Sequence, residues 1–76
     1  MSTSEFRIYN GKSLGASIRL LREEAGLSQA QLAKAVQIDR SYLSELENGE
    51  MVEQVTRIVN LLAQLGARLV VVSAEW

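Results

Sequence analysis

The chain has no cysteine and no histidine. The first absence removes disulfide staples. The second removes imidazole-containing metal sites and the usual nucleophile–base pairs. No run approaches the roughly 20 apolar residues of a membrane span. The start, Met1-Ser2-Thr3-Ser4-Glu5, lacks a signal peptide's charge and apolar core. A cytoplasmic protein with no membrane partner is expected. Glycine-rich phosphate loops are missing too, because Asn10-Gly11-Lys12-Ser13 lacks the upstream glycine of a P-loop at the required spacing. The carboxylates show no catalytic pairing, so neither an enzyme nor a cofactor is expected. Repeats, linkers and low-complexity segments are absent.

What is present is one small domain, residues 1–76. A chain of this size buries only about 60% of its unfolded surface, so it is marginal without help. A hydrophobic content of 47% is generous for such a domain and hints at burial against a partner. Eight basic and nine acidic residues give a net charge of −1. That balance weighs against nucleic-acid binding, since phosphate neutralisation supplies most non-specific affinity. Distribution matters more than the sum. Glu23, Glu24, Glu50 and Glu53 can sit away from DNA, leaving Lys12, Arg19, Lys34 and Arg40 nearer to it. Modest affinity per protomer, and reliance on a dimer, follow.

The stretch Leu27 to Gly49, LSQAQLAKAVQIDRSYLSELENG, organises the chain. Ser28 suits a helix N-cap, and Gln31, three residues on, completes a capping box. Leu32, Ala33 and Val36 mark one inward face, and the helix stops near Gln37. Asp39 is expected to cap a second helix, with Leu43 and Leu46 inward and Asn48-Gly49 closing its end. Each helix has only about eight residues, too few to persist alone, so tertiary packing must hold both. Methyl-sized Ala33 lets them cross closely. The outer face of the second helix then carries Arg40, Ser41, Ser44 and Glu45. This is the geometry of a helix-turn-helix, whose second helix enters the DNA major groove.

The segment GLSQAQLAKAVQIDRSYLSELENG resembles the Cro/C1-type (XRE) helix-turn-helix, whose pattern runs G-L-[ST]-Q-x-x-L-A and then L/I-S-x-L/I-E-N/x-G. The resemblance covers Leu14 to Leu65. One departure is Gln37, where the family usually has a glycine with positive φ; glutamine takes that conformation with some strain.

In chain order, Met1 to Glu5 read as a mobile tail and Phe6 to Tyr9 as a short extended piece. Asn10-Gly11 breaks it, and Ser13 is expected to cap the first helix. Leu14, Ile18, Leu21 and Ala25 recur at helical spacing up to Gly26. After Gly49, Val55, Ile58, Val59, Leu62 and Leu65 form a wide stripe that Gly66 terminates. The helix-turn-helix core is thus placed at about 13–65. Residues 67–72 follow as a strand, apolar on both faces, that cannot stay unpaired in water. Leu69, Val70, Val71 and Val72 are expected to pair across a homodimer, with one face of the strand covering the fourth helix around Leu61 and Leu65. Pairing with Phe6 to Tyr9 inside the chain is the alternative. Residues 73–76 form a tail ending on Trp76, which either docks into a partner or folds back on its own dimer. The fold class is therefore mainly α: a four-helix Cro/C1-type domain with a C-terminal dimerisation strand. The strand narrows the resemblance to HipB-type antitoxins, which implies a homodimeric autorepressor that binds operator DNA and a HipA-like kinase toxin.

Roles follow. Arg40 is the best direct reader, since a guanidinium can bond guanine O6 and N7 together. Ser41 and Ser44 match groove-facing positions of the family. Glu45 can accept from cytosine N4 or simply be solvated. Tyr42 is expected to pack half-buried. The family uses the glutamine matched by Gln29 to hold the DNA backbone, and Lys34 and Asn48 are weaker phosphate candidates. The resemblance also implies that Arg22 pairs with Glu47, tying the first helix to the third. A stand-alone repressor, or an adaptor without DNA binding, would fit the same chain.

Overall fold

The computed structural model describes residues 5–50 and 53–73. Its elements run β1 (Glu5–Ile8), α1 (Gly11–Glu24), α2 (Gln29–Val36), α3 (Arg40–Glu47), α4 (Glu53–Gln64) and β2 (Leu69–Val72). The architecture is mainly helical, with one two-stranded antiparallel sheet. Trp76 and the residues of the proposed N-terminal tail before Glu5 lie outside the described residues.

Local chemistry explains most boundaries. Asn10, not Ser13, caps α1: its side-chain oxygen accepts the Ser13 N–H at 2.9 Å, while Ser13 Oγ accepts the Asn10 N–H at 3.0 Å. Ser13 is the third residue of a reciprocal box rather than the cap, so α1 begins at Gly11. Ser28 and Gln31 make the same box at α2, as the sequence predicts. Such caps contribute about 1 kcal/mol each. Asp39 occupies the N-cap position of α3, but its side chain makes no capping bond. Gly26, Gly49 and Gly66 all close helices at positive φ. Gln37 is the one described non-glycine residue there, at φ 61°, ψ 47°. The turn keeps its left-handed residue although the side chain is unsuited to it.

Packing centres on α1 and α3. Ala33, Leu43 and Ile8 are the fully buried apolar residues among those described, with Ser17, whose hydroxyl donates to the Leu14 carbonyl at 2.7 Å. The helices approach so closely that a Cβ on Gly15 would lie 2.7 Å from the Glu47 carbonyl oxygen. Val36, expected to face inward, is exposed. It ends a short helix that packs chiefly on α3, and its side chain is left uncovered among the described residues.

The strand takes the within-chain pairing named above as the alternative. β2 pairs with β1 of the same chain, Phe6 opposite Val71 and Ile8 opposite Leu69. Alternation puts Phe6, Ile8, Leu69 and Val71 on one face, where all are buried or half-buried, and β1 packs on α1. The sheet therefore spends its inner face on α1, and α4, half-buried along Val55, Val59 and Leu62, keeps one apolar side uncovered among the described residues. Ile58, Leu61 and Leu65 are 53%, 61% and 74% exposed, contrary to the expectation that the strand would cover Leu61 and Leu65.

Replacing Gly15 by alanine should force α1 and α3 apart and cost about 1–3 kcal/mol. Gln37→Gly should instead stabilise by about 0.5–1 kcal/mol, the relief of left-handed strain less the added chain entropy. Urea unfolding of both variants beside the parent checks the opposite signs.

Candidate nucleic-acid interface

The orientation of α3 is set from beneath. Leu43 and Glu47 are buried and Leu46 half-buried, which fixes the inward direction of the helix. At about 100° per residue, Ser41 and Glu45 straddle the opposite direction, with Ser44 and Tyr42 about 80° to either side. Arg40 is the first residue of the helix and exposed. The structure thus places Ser41 and Glu45, both exposed, on the open side of the helix with half-buried Ser44 at one flank, while Arg40 lies about 60° round the helix from Leu43 and is exposed because it begins the first turn. Tyr42, expected to be half-buried, is 41% exposed and joins them. The signal was present in the sequence, since the residue before a buried Leu43 lies well round the helix from it.

Glu47 anchors this helix. Its carboxylate accepts Arg22 Nε at 2.7 Å and the second Arg22 nitrogen at 3.0 Å, a bidentate pair between α3 and α1. The remaining guanidinium nitrogen donates to the Leu27 carbonyl at 2.8 Å, tying down the chain between α1 and α2. Gln29 Nε2 donates to the same carboxylate at 3.1 Å, so three helices meet at one side chain. The Glu47 side chain is only 1% exposed. The implied ion pair is present, and it includes a residue the sequence assigned to the DNA backbone. One N–H of Gln29 faces inward; its second remains for another acceptor. Lys34 is exposed on α2, and Asn48, the α3 C-cap, is also exposed.

A profile described as helix-turn-helix domain matches residues 13–74. The chain belongs to this family, and to its Cro/C1 type. It is similar to the ImmF control region 10 kDa protein of Bacillus phage phi105, 50% identical over 40 residues, which are 53% of this chain and 44% of that one. It is also similar to the HTH-type transcriptional regulator PrpR of Mycobacterium tuberculosis, 46% identical over 44 residues, 58% of this chain and 9% of that protein. An uncharacterized HTH-type transcriptional regulator of Sinorhizobium fredii, y4mF, is 29% identical over 63 residues, 83% of each chain. The chain spans less than half the length of the first two relatives. No solved structure matches it significantly.

In this helix-turn-helix domain the electrostatics of the anchor have a sign. Hydrogen bonding from Arg22 lowers the Glu47 carboxyl below its ordinary value near 4.5, against the opposing effect of burial, with a further bond from Gln29. The same bond raises the Arg22 guanidinium. Elsewhere charge is spent locally: Arg19 pairs with Glu23 at 3.6 Å and Arg57 with Glu53 at 3.9 Å, both exposed and each contributing little. No described helix is long and apolar enough to cross a membrane.

Because the Glu47 carboxyl is lowered on folding, the unfolded chain binds the proton more readily. Its contribution is therefore complete above about pH 4.5 and is lost as pH falls through the lower folded value. Glu47→Gln should reduce stability at pH 7 and flatten the acid limb of the profile below about pH 4.5. Urea midpoints from pH 7 to pH 3 check both.

Proposed function

We propose that this chain is a sequence-specific DNA-binding repressor that acts as a homodimer, with α3 in the major groove of operator DNA. The observation that carries the reading is the exposed surface of α3, with Ser41 and Glu45 on its open side, Ser44 at one flank and Arg40 at its free first turn, on a helix locked from beneath by Glu47. The first residues of a recognition helix meet base edges, which suits Arg40 as the guanine reader and Ser41 beside it. Glu45, near the centre of the open side, fits as an acceptor for cytosine N4. Gln29, Lys34 and Asn48 take the phosphates, Gln29 through its second N–H. The names of the relatives, two transcriptional regulators and a phage control-region protein, support a role in transcription.

The dimer rests on what the single chain leaves open. β2 has one edge bonded to β1 and, among the described residues, no strand on its second edge, where an identical strand could pair across a two-fold axis, so Leu69 to Val72 remain its proposed contact. Ile58, Leu61 and Leu65 repeat at i, i+3 and i+7, a stripe that a second copy would cover. Two recognition helices would then stand about 34–36 Å apart, or a multiple of it, to meet successive major-groove faces. The narrower reading, an antitoxin that autoregulates its operon and holds a HipA-like kinase inactive, rests on the terminal strand. A kinase gene beside this one, and a complex between the two products, would establish it.

Arg40→Ala should weaken binding to the operator by about 1–3 kcal/mol and relax specificity at one base pair, with folding intact. Gln29→Ala should weaken all sequences more evenly. Fluorescence anisotropy on matched and substituted duplexes at one salt concentration separates the two. Leu61→Glu and Val72→Glu, both at exposed positions, should give folded monomers that lose operator affinity. Sedimentation beside the binding assay tests that, and a persistent dimer would move the interface elsewhere.

A further inference from the structure

Tyr42 has no assigned part in the site just described, yet it is the one aromatic residue on the open side of α3. Its place on the helix determines what it can reach. Ser41 and Glu45 straddle the outward line, while Tyr42 is displaced from that line by about 80°. An α-helix with its side chains is roughly 10–12 Å across, and the major groove is about 12 Å wide. A helix lying in that groove fills it. Residues on the central line meet base edges on the floor, and residues displaced to the side meet the walls, which are sugar and phosphate.

The chemistry of the side chain agrees. Tyrosine is long and rigid, and it ends in a hydroxyl that can donate to a phosphate oxygen. Leu46, one turn on and half-buried, gives the ring an apolar neighbour at its base. A phenol costs less than a carboxylate beside phosphate, and Asp39 and Glu45 already bring two negative charges to this helix. A neutral donor at the wall adds a backbone contact where the sequence supplies few cations.

We infer that Tyr42 is a backbone-positioning residue whose hydroxyl donates to a phosphate oxygen on one wall of the major groove, fixing how the anchored α3 seats between the two walls. The inference rests on the DNA-binding reading above.

The test uses the full chain and a labelled duplex spanning the DNA immediately upstream of its own reading frame, with single-base-pair variants of it. Tyr42→Phe removes the hydroxyl alone and, at an exposed position, should leave the urea midpoint unchanged. It is expected to weaken binding roughly 3–10-fold, the worth of one hydrogen bond. The loss should be equal on the matched duplex and on every variant. It should also leave the slope of affinity against salt unchanged, because a neutral donor displaces no counterion, whereas Lys34→Ala should lower that slope. Unchanged affinity for Tyr42→Phe would overturn the inference. So would a loss confined to one base pair, or a loss seen only with Tyr42→Ala, since either makes the ring a reader of bases. If the parent chain binds no duplex with preference even at low salt, the DNA-binding reading falls and this inference with it.

Discussion

The carboxylate of Glu47 is the point on which the rest of the molecule depends. It takes two hydrogen bonds from Arg22 and one from Gln29, and so joins α1, α2 and α3 where the apolar core is thin. Placing a charge there is costly, and a buried pair is by itself weak evidence of stability. What the pair adds is geometry. A bidentate guanidinium–carboxylate contact is directional, and with Gly15 allowing backbone contact it sets both the separation and the rotation of α3 against α1. The rotation of α3 decides which residues face outward, and those residues are the proposed site.

The same economy explains the shape. The chain measures 37 × 32 × 16 Å along its principal axes, little more than one layer of helices with a sheet at the side. Ile58, Leu61 and Leu65 have no cover among the described residues, and Val72 on the outer face of the sheet is exposed as well. For a chain with 47% hydrophobic residues, so small a buried core leaves apolar surface over. A second copy would give that surface the layer it lacks, and a two-fold axis would double the few phosphate contacts available to a chain of net charge −1.

How far the sequence could be read depended on how local the determining interactions are. The capping box at Ser28 and Gln31, the glycine stops, and the helical spacing of Leu43 and Leu46 all act within a few residues and are legible in the sequence, whereas the left-handed turn at Gln37 is legible only through the family resemblance. The Arg22–Glu47 pair spans 25 residues and was legible only through family resemblance. Strand pairing was not: two short extended pieces state that each needs a partner, not which one, and β1 claimed β2 within the chain. Apolar periodicity in α4 likewise shows a stripe without saying whether the same chain covers it. Asp39 takes the N-cap position the sequence predicts, but residue type there does not guarantee the bond. Tyr42, expected to pack half-buried, is 41% exposed, because its position round the helix turns it away from Leu43.

The central claim is that α3, held by Glu47, and the start of α2 together form a DNA-binding face. Its most direct test is a residue-resolved titration of the isotopically labelled chain, following backbone amide resonances as duplex DNA from upstream of its own gene is added. The account predicts that the largest changes fall at residues 28–31 and 39–45, with smaller effects elsewhere. Changes concentrated in α4 and β2, with α3 unmoved, would contradict it.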